Sequence, residues 1–322
     1  MHMNMGSWEL AGCSTKPVCC ACLSNPRASD CEISLPLPRL AKAAVAIRAP
    51  QAAPQRAEPD SVDLRAEFRR RGLRINDQGD TGTCMAQALT SAMEYELIPK
   101  LRADAQLARS VGASAARVEL SRKHAYFESL HSAGLCQRRQ EGSWVLQAAS
   151  AIKDEGTFLE KHWPWAPWNP SDPRWKTCEE AANGGVPPAA ALRRRHFFIG
   201  DFRYLPPIGV KAVARNPAHL EGILASGHPI VLATFLVRAS FDPAWRNGGQ
   251  VTLPEAITAQ PRGGHYMLLL GYDRKRKRLH FANSWGTRFG MRGFGTLDYA
   301  FVERYAIEGL FVREMTIRPP RP

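Results

Sequence analysis

Gly263-Gly264-His265-Tyr266-Met267-Leu268-Leu269-Leu270-Gly271-Tyr272 and Arg278-Leu279-His280-Phe281-Ala282-Asn283-Ser284 flank the charged stretch Asp273-Arg274-Lys275-Arg276-Lys277. Two short apolar runs around a polar turn predict a β-hairpin. His265 stands at the head of one run and Asn283 at the end of the other. Antiparallel pairing about a turn near Arg274 is expected to bring the two opposite each other. The Asn283 amide could then hold an imidazole, and Trp285, two residues on, could shield that bond from water.

Outward from the hairpin, Pro229 to Val237 is rich in β-branched residues and reads as another buried strand. The chain before it has a different character. After the turn formers Asn76-Asp77-Gln78-Gly79-Asp80-Thr81-Gly82, the residues Met85, Ala88, Leu89, Ala92, Met93 and Leu97 recur at helical spacing. Residues 101–118 read as a second Ala-rich helix or an insertion, and Leu120–Leu130 and Trp144–Lys153 as further helices. A helical half followed by a β half predicts an α+β fold with two lobes.

The full chain has 322 residues, 44% hydrophobic and 23% charged, enough for a sizeable core. No apolar run approaches the roughly 18–20 residues that span a bilayer. The net charge of +13 draws on Arg69-Arg70-Arg71, Arg193-Arg194-Arg195 and the run Arg274 to Arg278. No aromatics interleave these runs as base-stacking platforms would, so a solvated basic surface is expected and no nucleic-acid partner. Cys13, Cys19, Cys20, Cys22 and Cys31 crowd the start without a paired metal-ligand spacing. Leu10-Ala11-Gly12-Cys13 has the form of a lipoprotein cleavage box, but Met1–Glu9 offers no basic start or apolar stretch, so no signal peptide is recognised. Residues 1–58, Pro- and Ala-rich from Pro36 to Pro54, read as a tail, and 59–322 as the globular domain. Nothing in the sequence assigns an oligomeric state.

Cys84 follows the Gly-rich turn at the start of the first long helix. A helix N-terminus favours an anion, here a thiolate. The Cys84 amide and the Gln78 side chain, six residues upstream across the turn, can donate to an oxyanion. His265 can serve as general base and Asn283 as its orienter. No metal or cofactor is needed for such chemistry.

Asp77-Gln78-Gly79…Gly82-Thr83-Cys84, Gly264-His265 and Asn283-Ser284-Trp285-Gly286 follow the order of the papain family, which the chain resembles over roughly residues 59–315. Pro59 to Arg65, Leu120-Ser121, Pro229-Ile230 and Gly271-Tyr272 are similar to further family landmarks. The resemblance implies a papain-like fold, with a helical left lobe, an antiparallel β-rich right lobe and an active-site cleft between them. It implies Cys84, His265 and Asn283 as triad, Gln78 in the oxyanion hole and Trp285 as shield. It implies a peptide or protein substrate. Gly142 and Ser143 are assigned to substrate contact. Tyr266, directly after the His, is assigned to the pocket for the side chain two positions before the cut. Its ring would shorten that pocket unless strand twist turns it into the β lobe. Cys136-Gln137-Arg138-Arg139 resembles a stretch carrying a half-cystine, which implies a Cys136–Cys178 disulfide and an oxidising location such as the periplasm or exterior.

Departures from the pattern are as informative. Thr81 stands where many relatives have a half-cystine, and Met85 where they have an aromatic. Cys84 and His265 are further apart than the roughly 130–150 residues usual in the family. The long helical propeptide of plant and animal members has no counterpart, so the chain looks like a streamlined bacterial-type member. The implied activity is endopeptidase cleavage through a thioester. Deamidation, transamidation, exopeptidase trimming and an inactive peptide-binding relative stay open.

Overall fold

The computed structural model describes residues 59–114, 117–134, 142–165, 186–206, 213–255 and 263–319. Within them the long helix expected after the Gly-rich turn is present. Short β1 (Ser61–Asp63) and α1 (Arg65–Arg70) lead into α2 (Cys84–Ala103). α2 continues through Pro99, which has no N–H to donate to the Tyr95 carbonyl four residues back. The Arg71 guanidinium donates to that carbonyl instead and lies 3.8 Å over the Tyr95 ring. Asp104 then breaks the chain direction and caps α3 (Ala105–Ser110) by accepting from the Leu107 amide at 2.8 Å. The stretch expected as one second helix over 101–118 is therefore the end of α2 plus this short turn of helix. α4 (Arg122–Ser132), capped by Ser121, and α5 (Val145–Glu155) complete the helical lobe.

Among the described residues the remainder builds one sheet with four short α-helices. β2 (Phe197–Leu205) follows α6 (Ala189–Leu192), and α7 (Pro217–Ala225) precedes β3 (Ile230–Phe235). α8 (Arg238–Ala244) leads to β4 (Gln250–Val251), β5 (Gly264–Asp273), β6 (Arg278–Ala282) and β7 (Phe294–Asp298). α9 (Tyr299–Tyr305) and β8 (Ala306–Ile317) close the domain. Among the described residues the strand order is β2-β8-β3-β5-β6-β7-β4, with β1 paired to β5. All pairings are antiparallel except β4 with β7.

Strand alternation divides the core in two. Val231 and Ala233 of β3, with Tyr266, Leu268 and Leu270 of β5, pack with α2, α4 and α5. Ile230 and Leu232 of β3, with Met267 and Leu269 of β5, pack with α7, α8 and α9. The helical lobe thus covers one face of the sheet while the β lobe folds around the other.

The β5–β6 hairpin forms, but not with the expected opposition. Leu268 pairs with Ala282, a bulge separates Leu269 from Gly271, and β6 ends at Ala282. His265 lies beyond that end, paired instead with Thr234 of β3. Asn283 turns away, and its backbone N–H donates to the Gly293 carbonyl.

The basic runs are largely tied within the chain. Arg70 and Arg71 share Glu67, and Arg69 lies over the Phe294 ring. Arg274 holds Glu221, while Lys275, Arg276 and Arg278 pair with Asp60, Asp273 and Asp298. Arg195 pairs with Glu155. No helix among the described residues is long and apolar enough to cross a membrane.

Candidate active site

α2 places Cys84 at its first position, buried to 3% exposure. No acidic side chain occupies the first turn, so the positive end of the helix dipole is left for an anion at Cys84. The loop before it is held by its own polar atoms. Thr81 Oγ1 donates to the Gln78 carbonyl at 2.5 Å and meets Thr83 Oγ1 at 2.9 Å. A buried hydroxyl therefore ties this loop where the half-cystine is missing.

Gln78 is fully buried. Its Nε2 donates to the Thr81 carbonyl at 2.5 Å, and its Oε1 accepts from Ser284 Oγ at 2.6 Å. An amide nitrogen carries two protons, so one donor remains beyond the Thr81 bond. Backbone bonds join the same two segments: Gln78 N–H to the Ser284 carbonyl and Gly286 N–H to the Asn76 carbonyl. The oxyanion-loop candidate is thereby fixed directly onto the Asn283-Ser284-Trp285-Gly286 stretch.

His265 and Asn283 come together diagonally, through the chain bend after β6, with Nε2 and Oδ1 2.7 Å apart. Asn283 Oδ1 also accepts from the Ser284 amide at 2.9 Å, which fixes which end of the carboxamide faces the ring. The other ring nitrogen, Nδ1, is buried and makes no hydrogen bond. Trp285 stacks on the imidazole with centroids 4.5 Å apart, and the edge of Phe241 meets it at 6.0 Å. Trp245 also stacks on Trp285, nearly parallel at 5.6 Å, and Phe289 meets Trp285 edge-on. Sequence reading reached Trp285 but assigned no role to Phe241, Trp245 or Phe289. Spacing carries no signal for Trp245, which arrives from a different element.

Tyr266 points to the opposite face from His265. Its ring is buried against the helical lobe and its hydroxyl donates to Glu308 Oε1. Glu308 also accepts from Tyr204 at 2.5 Å and from the Val145 amide at the start of α5. Burial pushes the Glu308 carboxyl above the usual range, against these hydrogen bonds, which favour its charged form. Gly142, at φ +94°, has open space where a Cβ would stand. Ser143 is buried next to it, its hydroxyl without a hydrogen bond. Cys136 and Cys178 lie outside the described residues.

No protein-family model matches the chain. A curated viral protein, the uncharacterized peptidase C1-like protein of Acanthamoeba polyphaga mimivirus, is 28% identical over 100 residues, 30% of this chain. That match spans only 32% of the viral protein. Among solved structures, xylellain, a cysteine protease from Xylella fastidiosa, superposes with a TM-score of 0.63 at 23% identity. It covers 81% of this chain and 88% of xylellain. The proform of the ragweed pollen cysteine protease Amb a 11 gives 0.51 at 18%, covering 81% of this chain and 67% of its own. A digestive procathepsin L of Tenebrio molitor gives 0.51 at 17%, covering 80% and 72%. The fold is accordingly the papain-like α+β fold, reached here by element order and sheet topology.

Proposed function

We propose that the chain is a papain-like cysteine peptidase that hydrolyses peptide bonds through a thioester on Cys84. The observation that carries this reading is the 2.7 Å contact between His265 Nε2 and Asn283 Oδ1 under the Trp285 ring. Its oxygen-facing-ring geometry is what an imidazolium formed during the reaction requires, since Asn283 Oδ1 can only accept.

In the proposed reaction the Cys84 thiolate attacks the peptide carbonyl carbon. The developing oxyanion takes hydrogen bonds from the Cys84 amide and from Gln78 Nε2. His265 passes its proton to the leaving amine nitrogen as the C–N bond breaks, leaving the thioester. Water then gives a proton to His265 and its oxygen to the acyl carbon, and the thiolate is released. Asn283 holds the ring through both steps, and the aromatic cage keeps water from the bond that does so.

The test is hydrolysis of a fluorogenic peptide blocked at both ends, together with labelling by an active-site-directed epoxide. Cys84→Ala is expected to lower kcat/KM by more than about a thousandfold and abolish labelling, with the fold retained because alanine fits the buried position. Asn283→Ala removes an orienting group and no bond-forming atom, and is expected to cost less, about ten- to a hundredfold. Wild-type hydrolysis by Cys84→Ala would remove the mechanism. Release from free termini with no cleavage of the blocked peptide would replace endopeptidase by exopeptidase.

A further inference from the structure

A narrow pocket of about 20 Å³ reaches the triad on the side of Asn283, with exposed Arg74, half-buried Asn76 and buried Gln87, Ser91 and Asn283 among its lining residues. Neither Cys84 nor His265 lines it. About 10–15 Å³ of such space accommodates one water molecule, provided two to four polar groups receive it. Two buried atoms here lack a partner: Asn283 Nδ2 and Gln87 Oε1, on side chains 3% and 1% exposed.

The direction of both amides follows from their other contacts. Asn283 Oδ1 is committed to His265 and the Ser284 amide, so Nδ2 is the end that remains. On Gln87 the argument runs through protons. Thr81 Oγ1 spends its hydrogen on the Gln78 carbonyl, so Thr83 Oγ1 donates to Thr81. Thr83 Oγ1 is then an acceptor, and the 3.5 Å contact from Gln87 places Nε2 there. Oε1 is left facing elsewhere, an acceptor without a donor. Leaving a buried amide atom unsatisfied is costly, so both atoms call for a partner that can donate to one and accept from the other.

We propose that one ordered water in this pocket bridges Asn283 Nδ2 to Gln87 Oε1, which makes Gln87 a positioning residue for the catalytic histidine, acting through Asn283. Ser91 or Asn76 supplies a third contact. The bridge closes a polar ring that runs Asn283, water, Gln87, Thr83, Thr81, Gln78, Ser284 and back to Asn283 through the chain. The ring ties the nucleophile's helix, the oxyanion loop and the residue that holds the base. It holds the Asn283 carboxamide against rotation, so that an acceptor and not an N–H faces the ring.

The inference rests on the triad reading above, and the tests separate the two. A high-resolution crystal structure of the full chain is expected to show solvent density within about 3.2 Å of both atoms. Its absence would overturn the bridge whatever the activity. Gln87→Met keeps length and removes both polar atoms. It is expected to lower kcat about three- to tenfold with KM and melting temperature nearly unchanged. In an Asn283→Ala background the same substitution should change kcat by less than about twofold, because its route to the base is gone. Equal losses in both backgrounds, or a loss confined to melting temperature, would show a merely structural side chain. An enzyme inactive on every peptide would sink the peptidase reading and leave the density to decide the water.

Discussion

Tyr266 and Glu308 form a pair whose energetics can be read one atom at a time. Because β5 alternates, fixing His265 toward the aromatic cage obliges Tyr266 to face the helical lobe. There its hydroxyl donates to a carboxyl that also receives Tyr204 and the Val145 amide. These hydrogen bonds come from neutral donors, two phenols and a backbone N–H. Tyr266→Phe removes one of them while keeping the ring. It is expected to cost about 1–3 kcal/mol, the range for leaving a buried acceptor short, measured by urea unfolding of the single variant. A change below about 0.5 kcal/mol would mean that the carboxyl needs only Tyr204 and the α5 amide. At this scale the sequence was legible for the candidate catalytic groups and mute for the residues that hold them. Cys84, His265, Asn283 and Gln78 each stand in a motif, whereas Glu308 and Trp245 are single residues brought in from other elements by the fold. Thr81 is intermediate: its identity flagged a lost half-cystine, but its replacement bond to the Gln78 carbonyl appears only once the turn is built.

α2 carries a further titratable group, Glu94, nearly three turns along the helix from Cys84. It accepts from the Leu120 amide at 2.8 Å. Burial pushes its carboxyl up to about 8, so the folded protein keeps a proton there that the unfolded chain has released above about 4.5. The unfolded state then binds fewer protons, and stability falls as pH rises between these values. His162, His219 and His280 work in the opposite sense below about 6.5, since burial lowers each of them. The difference between wild type and Glu94→Gln isolates the carboxyl. The amide keeps an acceptor for Leu120 and cannot ionise, so the variant should gain on the wild type from pH 5 to 8, by up to a few kcal/mol on the order expected for such a shift. Parallel stability curves for the two would mean Glu94 ionises normally. Elements with a clear period were also the ones legible in sequence: α4, α5, β3 and the β5–β6 hairpin fall within about two residues of expectation. β2 and β8 were not read. Gly200 and Asp201 interrupt one at a bulge, and Glu308-Gly309 breaks the apolar pattern of the other because that carboxyl is buried for the Tyr266 network.

For the whole molecule, the open question is what residues 1–58 do to the site. The described domain starts at Pro59, whose carbonyl accepts from Tyr272, and β1 pairs with Gly271–Asp273. The tail therefore joins the far end of the strand that carries His265, roughly 25 Å from it at about 3.3 Å per residue. A segment of 58 residues spans far more than that when extended, so reach does not limit it. Its Pro-rich part suits a cleft that binds extended peptide, and we propose that it competes with substrate there. A tethered segment acts at an effective concentration near 1 mM. Even an affinity of about 100 μM would then keep about nine sites in ten occupied. Deleting residues 1–58 is accordingly expected to raise kcat/KM for a small peptide about tenfold. The same segment added as a separate peptide should inhibit the truncated enzyme with half-effect near 100 μM. Identical kinetics with and without the tail would show that it does not occupy the site, and a tenfold gain without inhibition in trans would place its effect elsewhere than the cleft.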